Sequence, residues 1–219
     1  MVICGPWVSS SIESQEPAAG RLAREHPARA QDVRLVAIGA SVGGPPVLQT
    51  LLQRLPKDLP VPILIVQHIA AGFVEGLADW LQESTRFPVH VAVHGDRLLP
   101  GHAYIAPDGR HMGLETYDRL MLSRDEPESG LRPAVSYLFR SVARVAGPTA
   151  IGVLLTGMGR DGAAELRLIR ERGGITIAQD RETSVVHGMP GEAIHLGAAM
   201  HVLPPVEIAT LIAGLVHKK

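Results

Sequence analysis

At 219 residues the chain is long enough for one sizeable domain, or one domain with an appendage, and its 46% hydrophobic and 20% charged residues exclude disordered, collagen-like and disulfide-scaffold classes. Lys and Arg (21) nearly balance Asp and Glu (22), a formal charge of -1 that offers no basic field for nucleic acid or anionic lipid. The single cysteine, Cys4, supports neither an internal disulfide nor a thiolate zinc site, and no apolar run or leader-like start is long enough to span or enter a membrane, so a cytoplasmic setting is expected.

Residues 1–32 are expected to form a flexible arm, since 9–32 are rich in Ser, Ala, Pro and charge without a sustained period. A domain is expected over 33–219. Its first apolar run, Leu35-Val36-Ala37-Ile38, is short and uninterrupted, which predicts a central parallel strand buried on both faces. Glycines 39–44 then lead to Pro45-Pro46 and a helical spacing of Leu48, Leu51, Leu52 and Leu55. A second strand over Pro62–Val66 and a helix over Glu75–Glu83 repeat the pattern. Between Val89 and Ser123, alternation at Val89, Val91 and Val93 and frequent turn dipeptides predict short, partly antiparallel strands and hairpins. A helix over Ala134–Val145, strands at Ala150–Leu155, Ile175–Ala178 and His201–Leu203, a helix from Gly162 to about Gly173, and a terminal helix over Val206–Val216 complete the reading. The fold class is α/β: three layers, α/β/α, on a doubly wound, mainly parallel sheet with a small antiparallel hairpin region.

In open α/β sheets, ligands bind beyond the carboxyl ends of the strands, so the junctions after the buried runs hold the candidates. The first reads Gly39-Ala40-Ser41-Val42-Gly43-Gly44, a G-x-S-x-G between strand and helix. In that context glycines permit a tight turn that exposes a serine hydroxyl beside a helix N-terminus. A plain glycine turn with Ser41 as N-cap fits the motif equally well. A dinucleotide cradle does not, because the second strand ends in Gln67-His68 where an acidic ribose ligand belongs. His68, at that strand end, is placed to deprotonate Ser41, unlike His90, His94, His102 or His217. The third junction, Thr156-Gly157-Met158-Gly159-Arg160-Asp161-Gly162, offers Asp161 to orient an imidazole, and its glycine-rich backbone offers N–H groups to a developing oxyanion. Asp161 as N-cap of the following helix, and Asp180 as a rival acid, stay open on position alone. No metal-ligand spacing occurs.

Together, Ala37-Ile38-Gly39-Ala40-Ser41-Val42-Gly43-Gly44-Pro45, Ile65-Val66-Gln67-His68 and Leu154-Leu155-Thr156-Gly157-Met158-Gly159-Arg160-Asp161-Gly162 closely resemble the catalytic domain of CheB, the chemotaxis protein-glutamate methylesterase. Tyr104 to His111, Leu138 to Ser141, Ile177 to Asp180 and Gly188 to Pro190 extend the likeness, which runs from about Arg34 to Leu215. The resemblance implies a cofactor-free serine hydrolase that demethylates glutamate methyl esters on the cytoplasmic helices of methyl-accepting chemoreceptors, releasing methanol. In many members it also deamidates receptor glutamines. It implies Ser41 as nucleophile, His68 as general base and acid, Asp161 rather than Asp180 as the orienting carboxylate, and the Met158 backbone N–H as an oxyanion donor.

Three departures stand out. Full-length members carry a receiver domain and linker ahead of the esterase, whereas only the segment before Val33 precedes it here. Val42 follows the serine where Thr is common, removing a hydroxyl near the oxyanion site. Leu131-Arg132-Pro133-Ala134-Val135-Ser136 stands where His-Arg-Pro-Ser-Val-Asp is frequent, which points to altered substrate recognition. Two rival functions follow from these departures, a non-catalytic receptor-binding protein and an esterase of the same mechanism on another substrate.

Overall fold

The computed structural model describes Met1 and residues 32–216, so residues 2–31 of the expected arm, with Cys4, and His217 lie outside the described residues. The elements in chain order are β1 (Leu35–Ala40), α1 (Gly44–Arg54), β2 (Ile63–Gln67), α2 (Val74–Thr85), β3 (Val89–Val91), β4 (Ala103–Ile105), β5 (His111–Thr116), β6 (Arg119–Ser123), α3 (Val135–Val145), β7 (Ala150–Leu154), α4 (Ala163–Glu171), β8 (Ile175–Gln179), α5 (Met189–His195), β9 (His201–Leu203) and α6 (Pro205–Val216). Seven strands form one parallel sheet in the order β3-β4-β2-β1-β7-β8-β9, and β5 pairs with β6 in a separate antiparallel hairpin.

The apolar runs explain this arrangement. β1, β2 and β7 are buried at every residue, as strands covered on both faces must be. Their alternate side chains feed two separate cores. Val36, Ile38, Ile63, Ile65 and Val153 pack with α1, α2 and α6 on one face, while Leu35, Ala37, Leu64, Val66 and Leu154 pack with α3, α4, α5 and the hairpin on the other. With so few aromatics, these cores are filled by Leu, Ile, Val and Ala. Among the described residues no helix is long and apolar enough to cross a membrane.

The region from Val89 to Ser123 is only partly the antiparallel segment expected from its alternation. β3 and β4 join the main sheet in parallel, and only β5 and β6, closing at Tyr117-Asp118, form a hairpin. The alternation in β3 reflects its edge position, with Val89 buried and His90 exposed, and carries no information about strand direction.

Candidate active site

The three junctions follow β1, β2 and β7, adjacent strands at the centre of the sheet, at the point where the strand order reverses. Ala40 pairs with Gln67 in the β1–β2 register, and the His68 N–H extends that ladder to the Ala40 carbonyl at 2.9 Å. Ser41 and His68 therefore leave neighbouring strands at the same level. On the other side of β1 the Ser41 N–H donates to the Thr156 carbonyl at 3.0 Å, which ties the serine to the β7 junction.

The turn holding Ser41 is shaped by glycine at two points. Gly43, the N-cap residue of α1, has φ +79°, and a Cβ there would meet the Val185 side chain at 2.6 Å. Gly157 faces the serine so closely that a Cβ would lie 2.8 Å from that of Ser41 and 2.3 Å from Met189 Sδ. No side chain caps α1, so Ser41 is not the N-cap that a plain glycine turn would make it. Its hydroxyl makes no hydrogen bond among the described residues.

His68 and Asp161 are brought together, with Nε2 2.9 Å from Oδ2 and side chains only 12% and 7% exposed. The contact is close, although its angle falls short of that of a hydrogen bond. Asp161 does not cap its own helix either, because Gly162, at φ +83°, is the N-cap residue of α4. The carboxylate reaches across to α3 instead. Val135 N–H donates to Oδ2 at 2.6 Å, and Ser136 donates to Oδ1 through both its N–H (2.9 Å) and its hydroxyl (2.6 Å). Burial pushes the Asp161 carboxyl upward, but the close His68 imidazole and the hydrogen bonds from Ser136 and Val135 outweigh it and hold the group below its ordinary value of 3.8. Asp180 is elsewhere, its carboxylate accepting from the Thr183 N–H and hydroxyl within a local turn.

The Met158 N–H has no acceptor among the described residues, although the flanking Gly157 is fixed by its N–H to Val186 O (2.9 Å) and by its carbonyl to the N–H groups of Gly188 and Met189. The Met158 side chain is 74% exposed, and Val42 is 48% exposed beside Ser41. A cleft of about 390 Å3 adjoins Asp161, lined by Leu131, Ser136, Met158, Arg160 and Glu165 among others. A second cleft of about 380 Å3 lies at the opposite end of the strands, between Arg34, Pro60, Tyr117 and Val216, and none of the junction residues lines it. Among the described residues no cluster of three or more His, Cys, Asp or Glu is placed to hold a metal ion.

The segment before α3 acts differently from the role expected of it. Ala134 is fully buried, its N–H donating to His111 Nδ1 at 3.3 Å, so it is not a recognition surface. Ser136 serves Asp161. Three further polar residues carry the site although their sequence context gave them no role. Gln67 Nε2 donates to the carbonyls of Ser41 (2.9 Å) and His68 (2.8 Å), Gln179 Oε1 accepts the Thr156 N–H (2.8 Å), and the Thr156 hydroxyl donates to the Val42 carbonyl (2.9 Å). All three are buried polar residues at or next to the ends of apolar strands, and buried polar groups of that kind are normally committed to hydrogen bonds. That is the signal which could have found them.

A family model described as CheB methylesterase matches residues 36–212. A protein-glutamate methylesterase/protein-glutamine glutaminase of Nitrosospira multiformis is 56% identical over 191 residues, covering 87% of this chain and 54% of that protein. The protein-glutamate methylesterase FrzG of Myxococcus xanthus is 48% identical over 188 residues, 86% of this chain and 55% of its own. The chain thus spans about half the length of the curated relatives it matches. The crystal structure of the Thermotoga maritima CheB methylesterase catalytic domain superposes with a TM-score of 0.81 at 37% identity, over 84% of this chain and 99% of that one. The matched residues 36–212 take in all three junctions, and the chain belongs to the CheB methylesterase family.

Proposed function

We propose that this chain is a protein-glutamate methylesterase that demethylates chemotaxis receptors on their cytoplasmic helices and deamidates receptor glutamines at the same site, without a cofactor. The observation that carries this is the convergence of the three junctions, above all the 2.9 Å contact of His68 Nε2 with a carboxylate held by three further donors. With Nε2 on Asp161, Nδ1 is the nitrogen left to serve Ser41. The Ser41 hydroxyl attacks the ester carbonyl as His68 takes its proton, and the carbonyl oxygen becomes an anion met by the Met158 N–H. Collapse expels the methoxy group, which leaves as methanol with the proton from His68. Water then attacks the acyl-enzyme, passing a proton to His68, and the glutamate carboxylate and free Ser41 result. With glutamine the leaving group is ammonia. Asp161 keeps the imidazole oriented and stabilises its charged form.

Methanol release from methylated receptors, measured for the wild-type protein beside Ser41→Ala, tests the reading. Ser41→Ala and His68→Ala are each expected to lower turnover by about three or more powers of ten. Equal release from wild type and Ser41→Ala would refute the nucleophile, and a folded wild-type protein that binds receptor without releasing methanol would refute the activity.

A further inference from the structure

Of the four contacts that hold the Asp161 carboxylate, only the one to His68 belongs to the proposed triad. Two come from backbone N–H groups, which almost any side chain at 135 and 136 would still supply. The fourth is different in kind. The Ser136 hydroxyl donates to Oδ1 at 2.6 Å and at the same time accepts the N–H of Gly162 at 3.0 Å. A group that does both links the carboxylate, through α3, to the backbone immediately following it. Only a side chain that is donor and acceptor within one short reach can do this. The hydroxyl also adds a charge-assisted bond to an oxygen that His68 does not use.

We propose that Ser136 is a positioning residue of the hydrolytic site, its hydroxyl holding Asp161 in the orientation in which it meets His68. The inference rests on the reading of Ser41, His68 and Asp161 as the reacting set. Without the hydroxyl, Oδ1 keeps a single donor, Gly162 N–H loses its acceptor, and the carboxylate carries more of its charge toward the imidazole. The charged groups around Asp161 are few: His68 from the end of β2, Arg160 in its own loop, and Glu165 from α4 across the same cleft. From α3 it meets only uncharged Val135 and Ser136, while Arg140 on that helix pairs with Glu128 and Glu165. The hydroxyl is therefore the one neighbour on α3, apart from backbone, whose removal alters the electrostatics of the pair.

The test is the pH dependence of kcat and kcat/KM for ester hydrolysis by the wild-type protein, Ser136→Ala and Ser136→Thr, with the melting temperature of each. Ser136→Ala is expected to lose about tenfold in kcat with KM little changed, the size of one charged hydrogen bond. The acid limb of its kcat/KM profile, set by the His68 and Asp161 pair together, is expected to move to higher pH. Ser136→Thr restores the hydroxyl and should return both values towards wild type. A merely structural serine would lower the melting temperature and leave the limb in place. A Ser136→Ala profile that superimposes on an active wild type, or an equal loss in Ser136→Thr, would overturn the role of Ser136 alone. A wild-type protein inert on both methylated receptor and a small glutamyl methyl ester would overturn the esterase reading, and this role with it.

Discussion

Asp161 is held by α3 as well as by His68. Its carboxylate receives the N–H groups of Val135 and Ser136 and so sits at the N-terminus of α3, where negative charge is favoured. Because the group titrates below 3.8 in the folded protein, it binds fewer protons folded than unfolded through the acid range. Its contribution to stability is present in full well above that value and is lost as pH falls below it. Asp161→Asn is therefore expected to be less stable than wild type by about 1–2 kcal/mol at pH 7, with the gap narrowing at pH 3. Urea unfolding at the two pH values checks this, and a gap that stayed constant or widened in acid would contradict it. The same residue marks a limit of sequence reading. The motif around Asp161 was plain, but its partners lie 25 and 26 residues earlier in the chain, and spacing along a loop does not show which helix N-terminus a carboxylate will reach.

At the level of elements, long or strongly patterned segments were legible and short ones only in part, the three-residue β9 standing at its expected bounds. The uninterrupted runs of β1, β2 and β7 and the leucine spacing of α1 each gave type and place, because burial on two faces leaves no room for polar residues. α5, with seven residues and a proline near its start, holds too few turns for a period to be seen. β3 and β4, three residues each, showed accessibility but not direction. The glycine junctions were visible as turns, and their tightness shows only in space. Gly157 illustrates this, since its Cα lies against both Ser41 and Met189. Gly157→Ala should displace the β7 junction from the serine, lowering kcat by at least tenfold while costing about 1–3 kcal/mol of stability. Parallel measurement of turnover and urea midpoint would separate the two effects, and unchanged turnover would show that the loop absorbs the added methyl group without moving Ser41.

Across the whole molecule the site bridges the two cores. Ser41 leads into α1, packed on one face of the sheet, whereas Asp161 is fastened to α3 on the other. Truncations deep in the two layers should therefore differ in their consequences. Ile212→Ala in α6 and Phe139→Ala in α3 are each expected to cost about 2–5 kcal/mol of stability. Only Phe139→Ala should also lower kcat under conditions where both variants remain folded, because α3 supplies the donors that hold the acid. Matching turnover in the two variants would argue that α3 keeps Asp161 in place without its core contacts. The fastening to α3 has one more consequence. The amides of Val135 and Ser136, 2.6 and 2.9 Å from the carboxylate oxygens, should exchange more slowly with deuterated solvent while that carboxylate is charged and in position than once it is neutralised. Two backbone protons away from the reacting bonds thus form a built-in gauge of the site's readiness, readable in the resting protein with no substrate present.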